Sequence, residues 1–315
     1  MNADATARAR TAEDTRIHAE VAGAGTRLAA SHLSLAYGNA RVVHDLSLDV
    51  PPGAFTAIIG PNGCGKSTLL RALSRLHKPQ LGAVLLDGAD IHSLPTRDVA
   101  REVGLLPQAP TAPAGITVRD LIARGRTPHL GPFSAWSQRD TDAVNDAIHA
   151  TGLGGLADRP VDSLSGGQRQ RAWIALALAQ QTELLLLDEP TTFLDIAHQY
   201  DVLDLVHRLA AEGRTVVAVL HDLAQAARYA DHLVLMSAGL VLASGSPRDV
   251  LTEQRVGAAF GLPVTVVPDP VTGTPLIVPS AAPPGVKAVH PTDAGDSVVF
   301  TEAIPASHHS LERTR

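Results

Sequence analysis

Nine consecutive residues, Gly60, Pro61, Asn62, Gly63, Cys64, Gly65, Lys66, Ser67 and Thr68, carry the first candidate chemistry of this 315-residue chain. They contain the pattern G-x-x-x-x-G-K-[ST], whose glycines let successive backbone N–H groups turn inward onto phosphate oxygens. Lys66 is placed to reach the β- and γ-phosphates of such a ligand, and the Ser67 hydroxyl suits Mg²⁺. A second pair, Asp188 and Glu189, closes the apolar run Leu184–Leu187. Asp188 is placed to hold Mg²⁺, partly through water, and Glu189 to polarise an attacking water. His221 closes another apolar run, Thr215–Leu220, and an imidazole there can donate to a γ-phosphate. Each feature alone has a plain structural reading: a Gly-rich turn, a helix-capping acid pair, a histidine after a strand. Together they point to hydrolysis of a nucleoside triphosphate. Cys64 is the one cysteine, so nothing can resolve an oxidised form of it, and it reads as a small side chain tolerated in the loop.

These residues need elements to position them, and the neighbouring sequence supplies the signals. Ala54–Ile59 is an apolar strand running into the Gly-rich turn, and Ser67–Leu76 follows with helical spacing. A helix N-terminus there adds its partial positive charge to the phosphate site. Leu184–Leu187 and Thr215–Leu220 are short continuous apolar runs, the form of strands buried on both faces of a parallel sheet. Such strands deliver the residues at their carboxyl ends to a shared crevice. Ile174–Gln181 and Ile196–Ala211 have helical character, so strand and helix alternate as in an α/β fold with right-handed crossovers. From about Ile116 to Asp162 the alternation lapses. Two helical stretches near Val118–Arg124 and Asp140–Thr151 flank a loop holding Pro128, Gly131 and Pro132, which predicts a helical insertion.

Composition bounds the class. Hydrophobic residues make up 45% of the chain, enough for a substantial core. The net charge of −6 argues against a protein that binds nucleic acid through bulk positive charge. A single cysteine excludes an internal disulfide. No apolar run approaches a membrane span, and the first 26 residues lack the apolar stretch of a secretory signal. Residues 1–27 and 281–315 have the polar, Ala- and Pro-rich composition of disordered tails, although Val298, Val299 and Phe300 could pair as a short docked strand. The chain has 14 histidines, but His308 and His309 lie among serines without other ligand types at metal-binding spacing.

Leu164-Ser165-Gly166-Gly167-Gln168 narrows the reading, because it opens a helix, from Arg169 onward, upstream of Asp188. It resembles the signature sequence of ATP-binding cassette (ABC) ATPases, and the rest of that family's ordered set is present over about residues 28–262. The resemblance implies an adenine-stacking role for Tyr37 and a Q-loop glutamine at Gln108, which would contact Mg²⁺ or the attacking water. It likewise implies a D-loop at Leu194-Asp195 and a switch histidine at His221. The implied fold is the cassette form of the P-loop NTPase, a mostly parallel sheet with an N-terminal antiparallel β subdomain and a helical subdomain inserted at about 108–165. Residues 263–280 would extend the cassette. Within the family, Thr117–His129, Glu189–Gln199 and Asp269–Leu276 are similar to importers of ferric siderophores and related chelates, a subgroup that includes haem and cobalamin importers.

The resemblance further implies an ATPase using ATP and Mg²⁺ as a head-to-tail homodimer, with Ser165, Gly166, Gly167 and Gln168 of one copy facing the nucleotide of the other. Asp195 would join that composite site. The implied partners are two membrane permease subunits and, indirectly, an extracytoplasmic substrate-binding protein, with the cassette on the cytoplasmic face of the membrane and no nucleic acid involved. The alternative is a non-transport cassette acting as a regulatory, translation or DNA-associated switch. One cassette per chain, and only 95 residues (69 to 163) between phosphate loop and signature, leave no room for a duplicated cassette or long coiled coil.

Overall fold

The computed structural model describes residues 26–131 and 135–280. The pairing expected for Val298–Phe300, the His308-His309 pair and nearly all of both tails lie outside them. Arg27, assigned to the N-terminal tail on composition, is instead tied to Asp87, Glu102 and Glu183 by its guanidinium.

The chain starts with β1 (Leu28–Tyr37) and β2 (Ala40–Val50), a long antiparallel pair, followed by β3 (Phe55–Ile59) and helix α1 (Lys66–Leu73). The strands β4 (Leu81–Leu86) and β5 (Ala89–Asp90) complete an antiparallel sheet of order β2-β1-β4-β5. Helix α2 (Thr96–Glu102) leads into β6 (Val103–Leu106), after which come α3 (Val118–Ala123), α4 (Gln138–Ala150) and α5 (Gly166–Ala179). Alternation resumes with β7 (Leu184–Asp188), α6 (Ile196–Ala211), β8 (Thr215–Val219), α7 (Leu223–Tyr229), β9 (His232–Ser237) and β10 (Leu240–Gly245). Short helices α8 (Pro247–Val250) and α9 (Glu253–Phe260) precede the hairpin β11 (Val264–Pro268) and β12 (Pro275–Pro279).

The central sheet has the order β10-β9-β3-β8-β7-β6 and is parallel throughout except for the β10–β9 pair. Every residue of β3, β7 and β8 is buried, in keeping with strands that are apolar but for Thr56, Asp188 and Thr215. One apolar cluster lies on the face toward α5, α6 and α7; the other joins the opposite face to α1 and the antiparallel sheet. The expected helical insertion is present as α3 and α4 packed against α5. Its two ends are stapled: Val161 N–H donates to Ile116 C=O at 2.9 Å and Val118 N–H to Arg159 C=O at 3.0 Å.

Two helix limits differ from the sequence reading. The helix expected from Arg169 begins at Gly166, because Ser165 and Gln168 form a reciprocal capping box that starts the first turn earlier. The helix expected to reach Leu76 stops at Leu73, where Arg75 takes a left-handed φ of +67° and the N–H groups of Leu76 and His77 fold back onto Arg71 C=O.

Candidate functional site

Sheet order explains the site. In the row β3-β8-β7-β6, parallel strands end at one edge, and the segments leaving them there carry the candidate residues. The loop from β3 holds Gly60–Gly65; Glu189 follows β7 directly; Gln108 and His221 stand two positions beyond β6 and β8. Three adjacent strand ends therefore bring together residues 81 and 32 positions apart in sequence. Together with Lys66, Ser67 and Thr68 they line an open cavity of about 570 Å³.

The phosphate loop has the conformation its glycines allow. Gly60 has φ +147°, and a methyl group there would overlap the Met236 carbonyl oxygen. Gly65 caps α1 at φ +103° without a side-chain cap, and no acidic residue occupies the first turn. The N–H groups of that turn thus keep their capacity for an anion. Lys66 is buried, and its Nζ donates to Gly60 C=O at 2.8 Å and Pro61 C=O at 2.9 Å. Cys64 is buried, and burial pushes its thiol up from the ordinary range, consistent with a packing role.

Glu189 is held on both oxygens. Oε1 meets His221 Nε2 at 2.7 Å, while Oε2 accepts from Gln108 Nε2 at 2.7 Å and from the Thr192 hydroxyl at 3.1 Å. Its backbone lies in the left-handed region at φ +54°, a conformation costing about 1 kcal/mol or more for a residue with a Cβ. Asp188, 2% exposed, has an Oδ1 with no hydrogen-bond partner. Burial raises its carboxyl above the ordinary range, while the Ser67 hydroxyl and the Arg71 guanidinium pull the other way. A buried, orphaned carboxylate oxygen beside a serine hydroxyl is a set of hard oxygen donors, and it fits Mg²⁺.

Tyr37 lines the same cavity at the end of β1, 47% exposed, with its ring centroid 4.7 Å from that of His77. Arg71 Nη1 reaches its hydroxyl at 3.5 Å.

Not every expected residue joins the cavity. Ser165, Gly166, Gly167 and Gln168 form the N-terminus of α5 and do not line it; Ser165 and Gly166 are exposed. Asp195 caps α6 and is likewise outside, 66% exposed at its side chain. The first turn of α5 instead faces the segment before Asp195: a side chain at Gly166 would meet Leu194 and the Phe193 C=O. The motif pattern does not single out Thr192, Phe193 or His77. Phe193 rims the cavity, is 95% exposed and has φ +65°. The sequence signal for it is its place in the Glu189–Gln199 stretch, between Glu189 and Asp195.

Among the described residues no helix is long and apolar enough to cross a membrane. The ABC transporter family model matches residues 43–192. A ferric enterobactin transport ATP-binding protein of Escherichia coli (strain K12) is 53% identical over 254 residues, covering 80% of this chain and 94% of that protein. A metal-chelate type ABC transporter solved in an inward-facing conformation aligns with a TM-score of 0.70 at 31% identity, over 81% of this chain and 98% of that one. The dimeric structure of a bacterial ABC transporter cassette aligns at TM-score 0.62 and 26% identity, over 70% of this chain and 98% of that one. These likenesses support the transport reading and give none to the regulatory, translation or DNA-associated alternative.

Proposed function

Because the chain belongs to the ABC transporter family, as an ATP-binding subunit that hydrolyses ATP, we propose that it powers import of a ferric siderophore or a related metal chelate. Residues 28–262 would be the catalytic cassette, 108–165 its insert and 263–280 an extension. The loop N–H groups from Gly60 to Gly65 and the open turn of α1 receive the phosphates, and Tyr37 backs the adenine. On binding, Lys66 exchanges its bonds to the loop carbonyls for bonds to phosphate oxygens. Ser67, Asp188 and Gln108 would hold Mg²⁺, which when bound neutralises charge on the β- and γ-phosphates.

Glu189 takes the proton of the attacking water, and His221 donates toward the γ-phosphate. Oε2 already accepts from Gln108 and Thr192 while Oε1 has His221 alone, so the attacking water takes the remaining lone pair of Oε1, beside the imidazole. The Gln108 bond would tie the base to movement of the segment that leads from Gln108 into the insert. Ser165 and Gly167, remote from the cavity of their own chain, would complete the site of a second copy packed head to tail, with Asp195 beside them. The insert surface from Gln108 to about Arg126 would seat a permease's coupling helix on the cytoplasmic face of the membrane. Two such permease subunits and an extracytoplasmic binding protein would select the cargo.

The observation that carries the reading is the double grip of Gln108 and His221 on Glu189 in the cavity that contains Lys66. Glu189→Gln keeps the shape and removes the base. It should bind ATP, form a dimer on gel filtration with ATP and Mg²⁺, and turn over at least about a hundredfold more slowly. Cells lacking their own chelate-import ATPase should regain ferric siderophore uptake with the wild-type chain and not with Glu189→Gln. Normal hydrolysis by the variant would refute the base; restored ATPase without uptake would refute the cargo class.

A further inference from the structure

The two groups of residues left outside the cavity, the turn at Ser165 and the cap at Asp195, are joined by one side chain, that of His198. Gly167 is buried in the first turn of α5 with an ordinary helical backbone, so conformation alone does not demand glycine there. The demand comes from across the gap. A methyl group at Gly167 would overlap the His198 imidazole and lie 3.1 Å from His198 Cβ. The same ring places Nδ1 2.7 Å from Asp195 Oδ1, and the His198 backbone N–H donates to that oxygen at 3.0 Å. Asp195 is thereby held with its carboxyl below the ordinary range. The turn at Gly167 is itself rigid, because Ser165 N–H donates to Gln168 Oε1 at 3.1 Å and Gln168 N–H to Ser165 Oγ at 3.3 Å.

We infer that His198 is a positioning residue that locks the Ser165–Gln168 turn and Asp195 into one rigid unit, so that the two move together when the composite site closes. The inference rests on the dimeric reading above. Its two contacts have different chemistry. The Cγ–Cδ2 side of the ring packs against a backbone with no side chain, which fixes the distance between α5 and α6. The Nδ1 bond fixes the direction of the Asp195 carboxylate. A nucleotide that draws in Ser165 then also moves Asp195, and a displacement at one site is passed to the segment shared with the other. The two contacts are separable: Phe would cover Gly167 without the bond, and Asn would offer a donor without covering Gly167.

The test uses the full chain with ATP and Mg²⁺, reading kcat, the Hill coefficient for ATP and the affinity of the monomer for ATP by calorimetry. For His198→Ala we expect kcat to fall about tenfold or more, monomer affinity to stay within about twofold, and the Hill coefficient to drop from about 2 toward 1. His198→Phe, which fills the same space, should retain the wild-type thermal midpoint yet lose cooperativity. It carries the test if the alanine variant does not fold. Gly167→Ala should be severe in the wild-type background and should add little to His198→Ala, because the ring it collides with is gone. Wild-type kcat and cooperativity in both His198 variants would overturn the inference. So would a Gly167→Ala loss of equal size in the two backgrounds, since the cost of the methyl group would then not come from the His198 ring. A wild-type chain that turns over ATP without dimerising or cooperativity would refute the dimeric reading, and this inference with it.

Discussion

Replacing Arg126 by Leu should destabilise the fold far more than loss of a surface charge would. The Arg126 guanidinium sits 5% exposed against an Asp140 side chain that is 7% exposed, with Nε 2.9 Å from Oδ1. Its Nη1 also donates to Ala179 C=O at 2.8 Å and Gln181 Oε1 at 3.0 Å, pinning the insert to the end of α5. Asp140 has a second task, accepting from Ser137 N–H at 3.0 Å and Ser137 Oγ at 2.6 Å in the capping box of α4. Removing the cation leaves a buried carboxylate with only its cap partners, a loss worth about 3–5 kcal/mol. For a domain of this size that lowers the thermal midpoint by roughly 6–20 °C.

Adding Asp140→Asn to Arg126→Leu should recover most of the loss, because the amide keeps a cap acceptor and no longer carries a charge. The bonds from Ser137 and then Arg126 hold the Asp140 carboxyl at about 2, against an ordinary 3.8. A depressed carboxyl stabilises the folded chain above its ordinary value, and that contribution ebbs as pH falls from 3.8 toward about 2. The gap between wild type and Arg126→Leu, measured by urea unfolding, should therefore be full above pH 4 and shrink below it. A loss under about 1 kcal/mol at neutral pH would place the pair with exposed salt bridges and refute the reasoning.

Four further outcomes concern the site and its surroundings. Lys66→Ala should weaken ATP binding at least about a hundredfold by calorimetry, since charge-assisted bonds to phosphate contribute about 1.5–3 kcal/mol each; unchanged affinity would refute the phosphate loop. Ser165→Arg should abolish hydrolysis with monomer ATP binding intact, and mixing it with Lys66→Ala should restore part of the activity through one intact composite site; no recovery in demonstrated mixed dimers would count against the head-to-tail geometry. Phe193→Asn should raise monomer stability by about 1 kcal/mol, because Asn tolerates left-handed backbone, while weakening the ATP-driven dimer on gel filtration if the 95% exposed ring is buried there. Charge reversal at exposed Arg124 should lower ATP hydrolysis in vesicles containing the permease and leave the isolated cassette unchanged; equal loss in both assays would assign the insert to folding.

The phosphate loop was legible in the sequence because its chemistry is local. Glycines, Lys66 and Ser67 act within one strand–turn–helix, so spacing alone specifies their relation. The continuous apolar runs before Asp188 and His221 likewise announced buried parallel strands, since burial on both faces leaves no polar alternation. Sheet order was not legible. That β7 lies between β6 and β8, which lets Gln108 and His221 meet on Glu189, depends on which hydrophobic faces pair in space. Nor could spacing show that Gly167 is glycine because of His198, or that Arg126 is buried against Asp140. Those are contacts between segments 31 and 14 residues apart, made by the packing of one helix on another. The separation of the Ser165 turn from the cavity of its own chain is also a tertiary fact: α5 runs from the insert into the sheet, and that direction fixes where its N-terminus must lie.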